Sequence, residues 1–314
     1  MTASDKPILV VKVGAHVMPQ WLELLARQLP DVNVQPWTTA DPTTTDYAAV
    51  WRPEHGRLAA MPRLKGVVSI AAGADHILED PDAPRHVPIV RCTGAPLQAR
   101  MAEYVVLHAL RHLRRASDIE RAQAQRQWQP LSTAPASESR IGIMGMGVLG
   151  QACVNPLRAV GFEVIGWTRS ARADTPYKLY TGSSGLDKFL AQTNTLVCLL
   201  PSTVLTRNII DTELLYKLPA GATVINVARG DLLVEDDLIG AIDDGHIREA
   251  TLDVFREEPL PEDHAFWAHE KIHVTPHIAS LIDAKTGSKL VADHIRRFVD
   301  GAAPCNVVDI DQGY

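Results

Sequence analysis

Arg140-Ile-Gly-Ile-Met-Gly-Met-Gly-Val-Leu-Gly150 is the stretch that decides the fold. Its apolar start reads as a strand, and Gly145, Gly147 and Gly150 follow at GxGxxG spacing as a helical segment opens. Glycines fall at that spacing by chance in many loops; the position between strand and helix gives them meaning here. Gly145 permits a tight turn, Gly147 lets the backbone approach a pyrophosphate, and Gly150 allows close helix–strand packing. The helix N-terminus, with Met146, Val148 and Leu149 around it, offers N–H groups and a positive dipole end to phosphates. Asn155-Pro156 falls inside that helix, where a proline removes a hydrogen bond and is expected to kink it.

Reading outward, the next strand runs from Glu163 to Trp167 and ends in Trp167-Thr168-Arg169-Ser170-Ala171-Arg172. An NAD-specific site usually carries an Asp or Glu here for the ribose hydroxyls. This chain has none. Arg169, with the hydroxyls of Thr168 and Ser170, suits a 2′-phosphate, so NADP(H) is expected to be preferred and NAD(H) stays possible. Strands are expected at 141–145, 163–167, 195–200, 223–227, 249–253 and 272–274, six in all, with helices between them. That pattern describes a doubly wound domain.

Upstream, apolar runs at Ile8–Val13, Val32–Val34, Ala48–Trp51, Val67–Ala71 and Val87–Arg91 alternate with helical patterns, so a first parallel sheet is expected. A single long helix is expected from about Gln98 to Gln127. Its Arg111, Arg114 and Arg115 are better read as a solvated face than as a phosphate site. Leu131–Ser139 reads as a connector. After His277 the pattern gives one more helix, about Asp283–Asp300, and a short strand, Asn306–Ile310. That tail is too small to be a domain and is expected to return to the first one.

The chain has 314 residues, which suggests two domains. With 20 glycines and 21 prolines it is neither collagenous nor dominated by disordered linker. A net charge of −6 argues against a general nucleic-acid or anionic-membrane binder. No apolar stretch approaches the roughly 20 residues of a membrane span. The polar Met1–Lys6 is not expected to be a signal peptide. Four scattered cysteines (Cys92, Cys153, Cys198, Cys305) read as reduced, mostly packed thiols of a cytoplasmic protein.

Three segments fall at later strand ends, where open α/β sheets place their ligands. They are Val224-Ile-Asn-Val-Ala-Arg-Gly230, Thr251-Leu-Asp-Val-Phe-Arg-Glu-Glu-Pro-Leu-Pro261 and Val274-Thr-Pro-His-Ile-Ala-Ser280. They bring a cation (Arg229), carboxylates (Asp253, Glu258) and an imidazole (His277) beside a dinucleotide. His273 and His277 have the spacing of a helical metal pair, but Pro276 forbids a regular helix between them, so no metal site is expected.

At these residues the chain resembles the D-2-hydroxyacid dehydrogenase family. The similarity extends to Asp46-Tyr-Ala-Ala-Val-Trp51, Ala72-Gly-Ala-Asp-His76, Arg100-Met-Ala-Glu-Tyr104, Trp128-Gln-Pro130, the LLPST segment at 199–203 and Gly313-Tyr314. The resemblance implies an α/β protein of two Rossmann-like doubly wound domains with a cleft between them. A discontinuous, flavodoxin-like substrate domain would comprise 1–98 and 284–314, and an NAD(P)-binding domain 99–283. It implies an NAD(P)-dependent 2-hydroxyacid dehydrogenase reducing small 2-oxo acids such as glyoxylate and hydroxypyruvate, to glycolate and D-glycerate.

In that role Arg229 would pair with the substrate carboxylate and C2 oxygen, His277 would be the general acid/base, and Glu258 would orient it. The amides of Ala72, Gly73 and Ala74 would form an anion nest for the carboxylate. Asp253 would bind the nicotinamide carboxamide, and Leu200, Pro201, Thr206, Val227 and Ala228 would contact the cofactor. Trp51 would line the substrate pocket, with core packing an equal alternative. The resemblance also implies a homodimer, in which Trp128 is expected to reach the partner's active site. Two other functions are open: a reductase of bulkier 2-oxo acids, and a non-enzymatic dinucleotide-sensing binding protein.

Overall fold

The computed structural model describes residues 6–170 and 175–313. Met1–Asp5, Ala171, Arg172 and Tyr314, which belong to stretches quoted above, lie outside the described residues. The chain forms two compact units, Met1–Leu97 with Ile282–Tyr314, and Gln98–Leu281.

The first unit opens with β1 (Ile8–Lys12), α1 (Met18–Gln28), β2 (Asn33–Pro36), β3 (Tyr47–Val50), β4 (Gly66–Ser69), α2 (Asp75–Leu78) and β5 (Ile89–Arg91). The helix α3 (Ala95–Leu113) carries the chain into the second unit. There follow α4 (Ala116–Ala124), β6 (Arg140–Met144), α5 (Val148–Ala159), β7 (Glu163–Thr168), β8 (Lys178–Thr181), α6 (Gly182–Leu190) and β9 (Thr195–Cys198). Then come α7 (Thr212–Lys217), β10 (Ala222–Asn226), α8 (Glu235–Asp243), β11 (Ile247–Leu252) and β12 (Ile272–Val274), before α9 (Ala284–Val299) returns to the first unit.

The first sheet is parallel in the order β2-β1-β3-β4-β5. Alternation along its strands fills both faces. Leu9, Val11, Ala49, Val68 and Val90 pack with Trp21, Leu25, Val291 and Ile295, whereas Val10, Ala48, Val50, Val67 and Ile89 pack with Leu58, Met61 and Ile77. The return of α9 is specified by shape: a Cβ on Gly287 would lie 2.2 Å from the Trp21 ring. Gln28 Nε2 adds a 2.9 Å bond to Ser288 Oγ, and Asp283 caps the helix by accepting from Thr286 N. The strand expected at 306–310 does not form. Asn306 sits at φ +56° and Asp309 folds back on the amides of Asp311 and Gln312, which leaves only a bridge between Val307 and Val90.

The second sheet is parallel in the order β12-β11-β10-β9-β6-β7-β8, seven strands rather than the six expected. The additional strand, β8, is a short outer strand whose Lys178 and Tyr180 give it no apolar run. Ile141, Ile143, Val197 and Ile225 face α3 and α5, whereas Met144, Leu196, Cys198 and Val224 face α6–α8. The expected single helix at 98–127 is two, because Arg115 takes φ +54° and ends the regular ladder. Arg111 pairs with Glu120 and Arg115 with Asp118, so these cations are balanced within α3 and α4. Pro156 does not stop α5, which continues to Ala159. Cys92, Cys153 and Cys198 are buried, and burial pushes each thiol up to about 12; Cys305 is exposed. Among the described residues no helix is long and apolar enough to cross a membrane.

Where α3 meets β11, His108 is buried beside Tyr104 and within 5.2 Å of His273, ring to ring. Burial, helped by the neighbouring charges of His273, His112 and Arg111, lowers its pKa from 6.5 to about 3. The unfolded chain binds this proton below about 6.5 and the folded chain resists it, so stability is lost as pH falls between those values. The slope this one group can add is at most about 1.4 kcal/mol per pH unit. Thermal melts from pH 7 to 4 are expected to fall less steeply for His108→Leu than for the wild-type chain.

Candidate active site

Each glycine of the turn after β6 is there for a different reason. Gly145 takes φ +110°, and a Cβ on it would lie 2.5 Å from the Leu199 carbonyl at the end of β9. A Cβ on Gly150 would lie 2.2 Å from Gly145 O, so α5 sits directly on the turn. Gly147 is the opposite case. It is the N-cap of α5, with open space where its Cβ would be. Amides without intrahelical partners and the positive end of the helix dipole therefore meet a surface with room for a pyrophosphate. Met146 is buried against Gly166, so it can offer a ligand only its backbone, while Val148 is half exposed.

Beyond β7, Arg169 and Ser170 are exposed and Thr168 is half-buried, on a strand end tied to α6 by the Trp167 Nε1 bond to Gly182 O. After β9, Leu200 is buried and Pro201 half-buried. The Thr206 hydroxyl closes its own loop, donating to Pro201 O at 2.7 Å and accepting from Thr203 N at 2.8 Å.

The three catalytic candidates come from the ends of β10, β11 and β12. Asn226, fully buried at the end of β10, donates from Nδ2 to Arg229 O and accepts at Oδ1 from Ala228 N. This staples the turn holding the buried Val227 and Ala228 and presents Arg229, half-buried, whose guanidinium donates to Ala228 O. Gly230 then lies flat on the next segment: a Cβ there would fall 1.9 Å from the Phe255 carbonyl carbon. The same segment carries Glu258, whose Oε1 accepts from Phe255 N at 3.1 Å and whose Oε2 stands 2.9 Å from His277 Nδ1. Since a carboxylate only accepts, the proton is assigned to Nδ1. Arg229, Glu258 and His277 are thus joined through one continuous set of backbone and side-chain contacts. Asp253 is buried, and burial raises its pKa. Its oxygens accept from Thr275 Oγ1 and from the amides of Ile278 and Ala279.

In the first unit, the loop after β4 is held by its own bonds. Ser69 Oγ donates to Gly73 O at 2.6 Å and accepts from His76 Nε2 at 2.9 Å, while Arg52 N donates to His76 Nδ1. Ala72 and Gly73 are half-buried and Ala74 is buried. Trp51 is half-buried and packs edge-on against His76, with ring centroids 4.6 Å apart. Trp128, in the second unit, is 97% exposed.

Residues 106–279, more than half of the chain, match the family model of the D-isomer specific 2-hydroxyacid dehydrogenase, NAD binding domain. The chain belongs to the D-isomer-specific 2-hydroxyacid dehydrogenase family. Among members of this family, it is 39% identical to glyoxylate/hydroxypyruvate reductase A of Serratia proteamaculans, over 94% of this chain and 96% of that one. A D-isomer specific 2-hydroxyacid dehydrogenase from Xanthobacter autotrophicus, solved in complex with NADPH and MES, is 37% identical with a TM-score of 0.92. That match covers 98% of this chain and all of the other. The NADPH-dependent glyoxylate/hydroxypyruvate reductase of Sinorhizobium meliloti, in complex with NADP and sulfate, is 37% identical with a TM-score of 0.91, over 99% of this chain and all of that one.

Within this dehydrogenase fold, sequence reasoning missed the residues that act on other residues. Asn226, Thr275 and Tyr104 form bonds that shape the site, but each is a single polar side chain with no spacing to mark it. Ser202 and Arg207, both bonded to Asp231 Oδ2, tie the loop after β9 to the segment after Arg229 in the same unmarked way.

Proposed function

We propose that this chain is an NADPH-dependent reductase of small 2-oxo acids, turning glyoxylate into glycolate and hydroxypyruvate into D-glycerate. The observation that carries it is the Glu258–His277 pair at 2.9 Å, set with Arg229 at the carboxyl edge of a dinucleotide-binding sheet. The chemistry a bound nicotinamide supplies is hydride donation to C2 of the acid. Arg229 presents paired donors to the substrate carboxylate and the C2 oxygen. With Nδ1 engaged by Glu258, His277 gives the Nε2 proton to the C2 oxygen as the carbonyl becomes a hydroxyl, and takes it back in oxidation. Glu258 orients the ring through Nδ1. The amides of Ala72, Gly73 and Ala74 bind the carboxylate, and Trp51 lines the pocket. Asp253 has one acceptor position left on Oδ2, which suits the nicotinamide carboxamide.

The open amide end at Gly147 and the carboxylate-free edge Thr168-Arg169-Ser170 favour NADPH. Leu200, Pro201, Val227 and Ala228 supply the cofactor's apolar contacts, and Thr206 acts through the shape of its loop. The exposed Trp128 suits a homodimer, and three buried thiols suit the reducing cytoplasm.

The test is oxidation of NADPH and of NADH with glyoxylate, hydroxypyruvate, pyruvate and a bulkier 2-oxo acid. Fast NADPH oxidation with the first two is expected. A preference for the bulkier acid would shift the substrate class, and NADPH binding without turnover on any acid would make the chain a dinucleotide sensor. Arg169→Ala is expected to weaken NADPH by about 10- to 100-fold, the worth of a charge-assisted bond, and NADH hardly at all. Equal losses for the two dinucleotides would remove Arg169 from cofactor choice.

A further inference from the structure

His277 takes φ +53°, in the left-handed region that a non-glycine residue holds only when its surroundings impose it. Asp253, which is buried, is the main partner of this stretch. His277 N is shared between the main-chain oxygens of Asp253 at 2.9 Å and Thr275 at 3.0 Å, and the next two amides, Ile278 and Ala279, donate to Asp253 Oδ1 and Oδ2, both at 2.8 Å. Successive amides converging on one anion form a nest, filled here by the chain's own side chain.

A carboxylate held by two amides can still rock between them. A third donor stops it. Thr275 Oγ1 lies 2.6 Å from Asp253 Oδ1, and Tyr104 Oη lies 2.6 Å from Thr275 Oγ1. The ionised carboxylate can only accept, so Thr275 donates to Asp253 and accepts from Tyr104. Burial holds the Tyr104 phenol above its usual range, which keeps it a neutral donor. The two hydroxyls therefore run in series with one polarity.

We propose that Thr275 and Tyr104 are positioning residues for His277: their hydroxyls in series orient the Asp253 carboxylate that holds the imidazole-bearing backbone where Nδ1 meets Glu258. This rests on the assignment of His277 as the proton donor. Thr275 is specific in this role because its neighbour Pro276 has no N–H to give, so the side-chain hydroxyl supplies the donor that the backbone lacks there.

Thr275→Val keeps the shape and removes the hydroxyl; Thr275→Ser does the reverse. With saturating NADPH and glyoxylate, Thr275→Val is expected to lower kcat by about 10- to 100-fold, the cost of a small misplacement, with little change in the KM for glyoxylate. Thr275→Ser is expected to restore most of the turnover, which a merely structural loss of packing would not allow. Tyr104→Phe is expected to give a smaller loss of the same kind. Added to Thr275→Val it should cost nothing further, because the two act in series.

Equal kcat in wild type, Thr275→Val and Tyr104→Phe would overturn the inference, as would equal losses in Thr275→Val and Thr275→Ser. If Thr275→Val fails to fold, Tyr104→Phe decides alone: wild-type kcat overturns the inference, and lowered kcat with unchanged KM supports it. Wild-type turnover in His277→Gln would instead overturn the assignment beneath it, and this inference with it. A fully inactive His277→Gln beside an unaffected Thr275→Val would sink the positioning role alone.

Discussion

On the proposed mechanism, His277→Gln is expected to fold, to keep its NADPH affinity, and to reduce glyoxylate roughly 10²–10⁴-fold more slowly than the unaltered chain, the range that a positioned acid/base group supplies. Glutamine is the informative replacement because of Glu258. That carboxylate is largely buried, and its Oε2 is held by the histidine at 2.9 Å. Alanine would leave the oxygen without its donor and confuse lost chemistry with a destabilised loop. An amide can still donate to it, yet has no proton to transfer. Turnover at saturating glyoxylate and NADPH, with dinucleotide affinity from a fluorescence titration, separates the two. Wild-type turnover would place the proton donor elsewhere.

The second large effect comes from a residue with no side chain. A methyl group on Gly230 would lie 1.9 Å from the Phe255 carbonyl carbon, 2.2 Å from its oxygen and 2.4 Å from Arg256 N. These are backbone atoms, and no rotamer relieves the overlap. Gly230→Ala therefore forces the segment after β10 away from the segment after β11, which moves Arg229 relative to Glu258 and His277. A displacement of about 1 Å at such a site costs on the order of 100-fold in kcat/KM. The overpacking itself costs about 1–3 kcal/mol. Because the turn at Gly145–Gly150 is built on β6, β9 and α5, NADPH binding is expected to survive, weakened only through the shifted Val227 and Ala228. Lost activity with retained NADPH binding and a modestly lowered melting temperature is the expected pattern; unchanged kcat/KM would show that the two segments need not touch.

Features made of chemistry that only one residue type allows were legible in the sequence. The turn at Gly145 and the close packing at Gly150 match what their spacing suggested, since neither position has room for a Cβ, and Gly147 has open space where its Cβ would be. The central strands were legible from their apolar runs, since β9 and β10 are buried at every residue. What escaped was context. The strand β8 is short, lies at the sheet's edge and carries Lys178 on a partly exposed backbone, so nothing in its four residues outweighs a turn. The break at Arg115 is a left-handed arginine, which leaves no mark of the kind that glycine or asparagine would. The bond between Tyr104 and Thr275 joins positions 171 residues apart, a separation at which no periodicity operates. For the same reason the bond by which the Thr206 hydroxyl closes its own loop left no mark in the sequence.

The return of α9 sets an order on biosynthesis. Trp21 packs against Gly287 and Gln28 bonds Ser288, both on α9, so this face of the first sheet to leave the ribosome is the last to be covered. At about 5–20 residues per second, tens of seconds separate translation of the two helices. Until α9 emerges the side of α1 that meets it stays uncovered, whereas Gln98–Leu281 contains every strand of its own sheet as soon as β12 has been made. The nascent chain is thus a finished domain trailing behind an unfinished one, and it is the amino-terminal part that chaperones would find sticky until the final helix emerges from the exit tunnel.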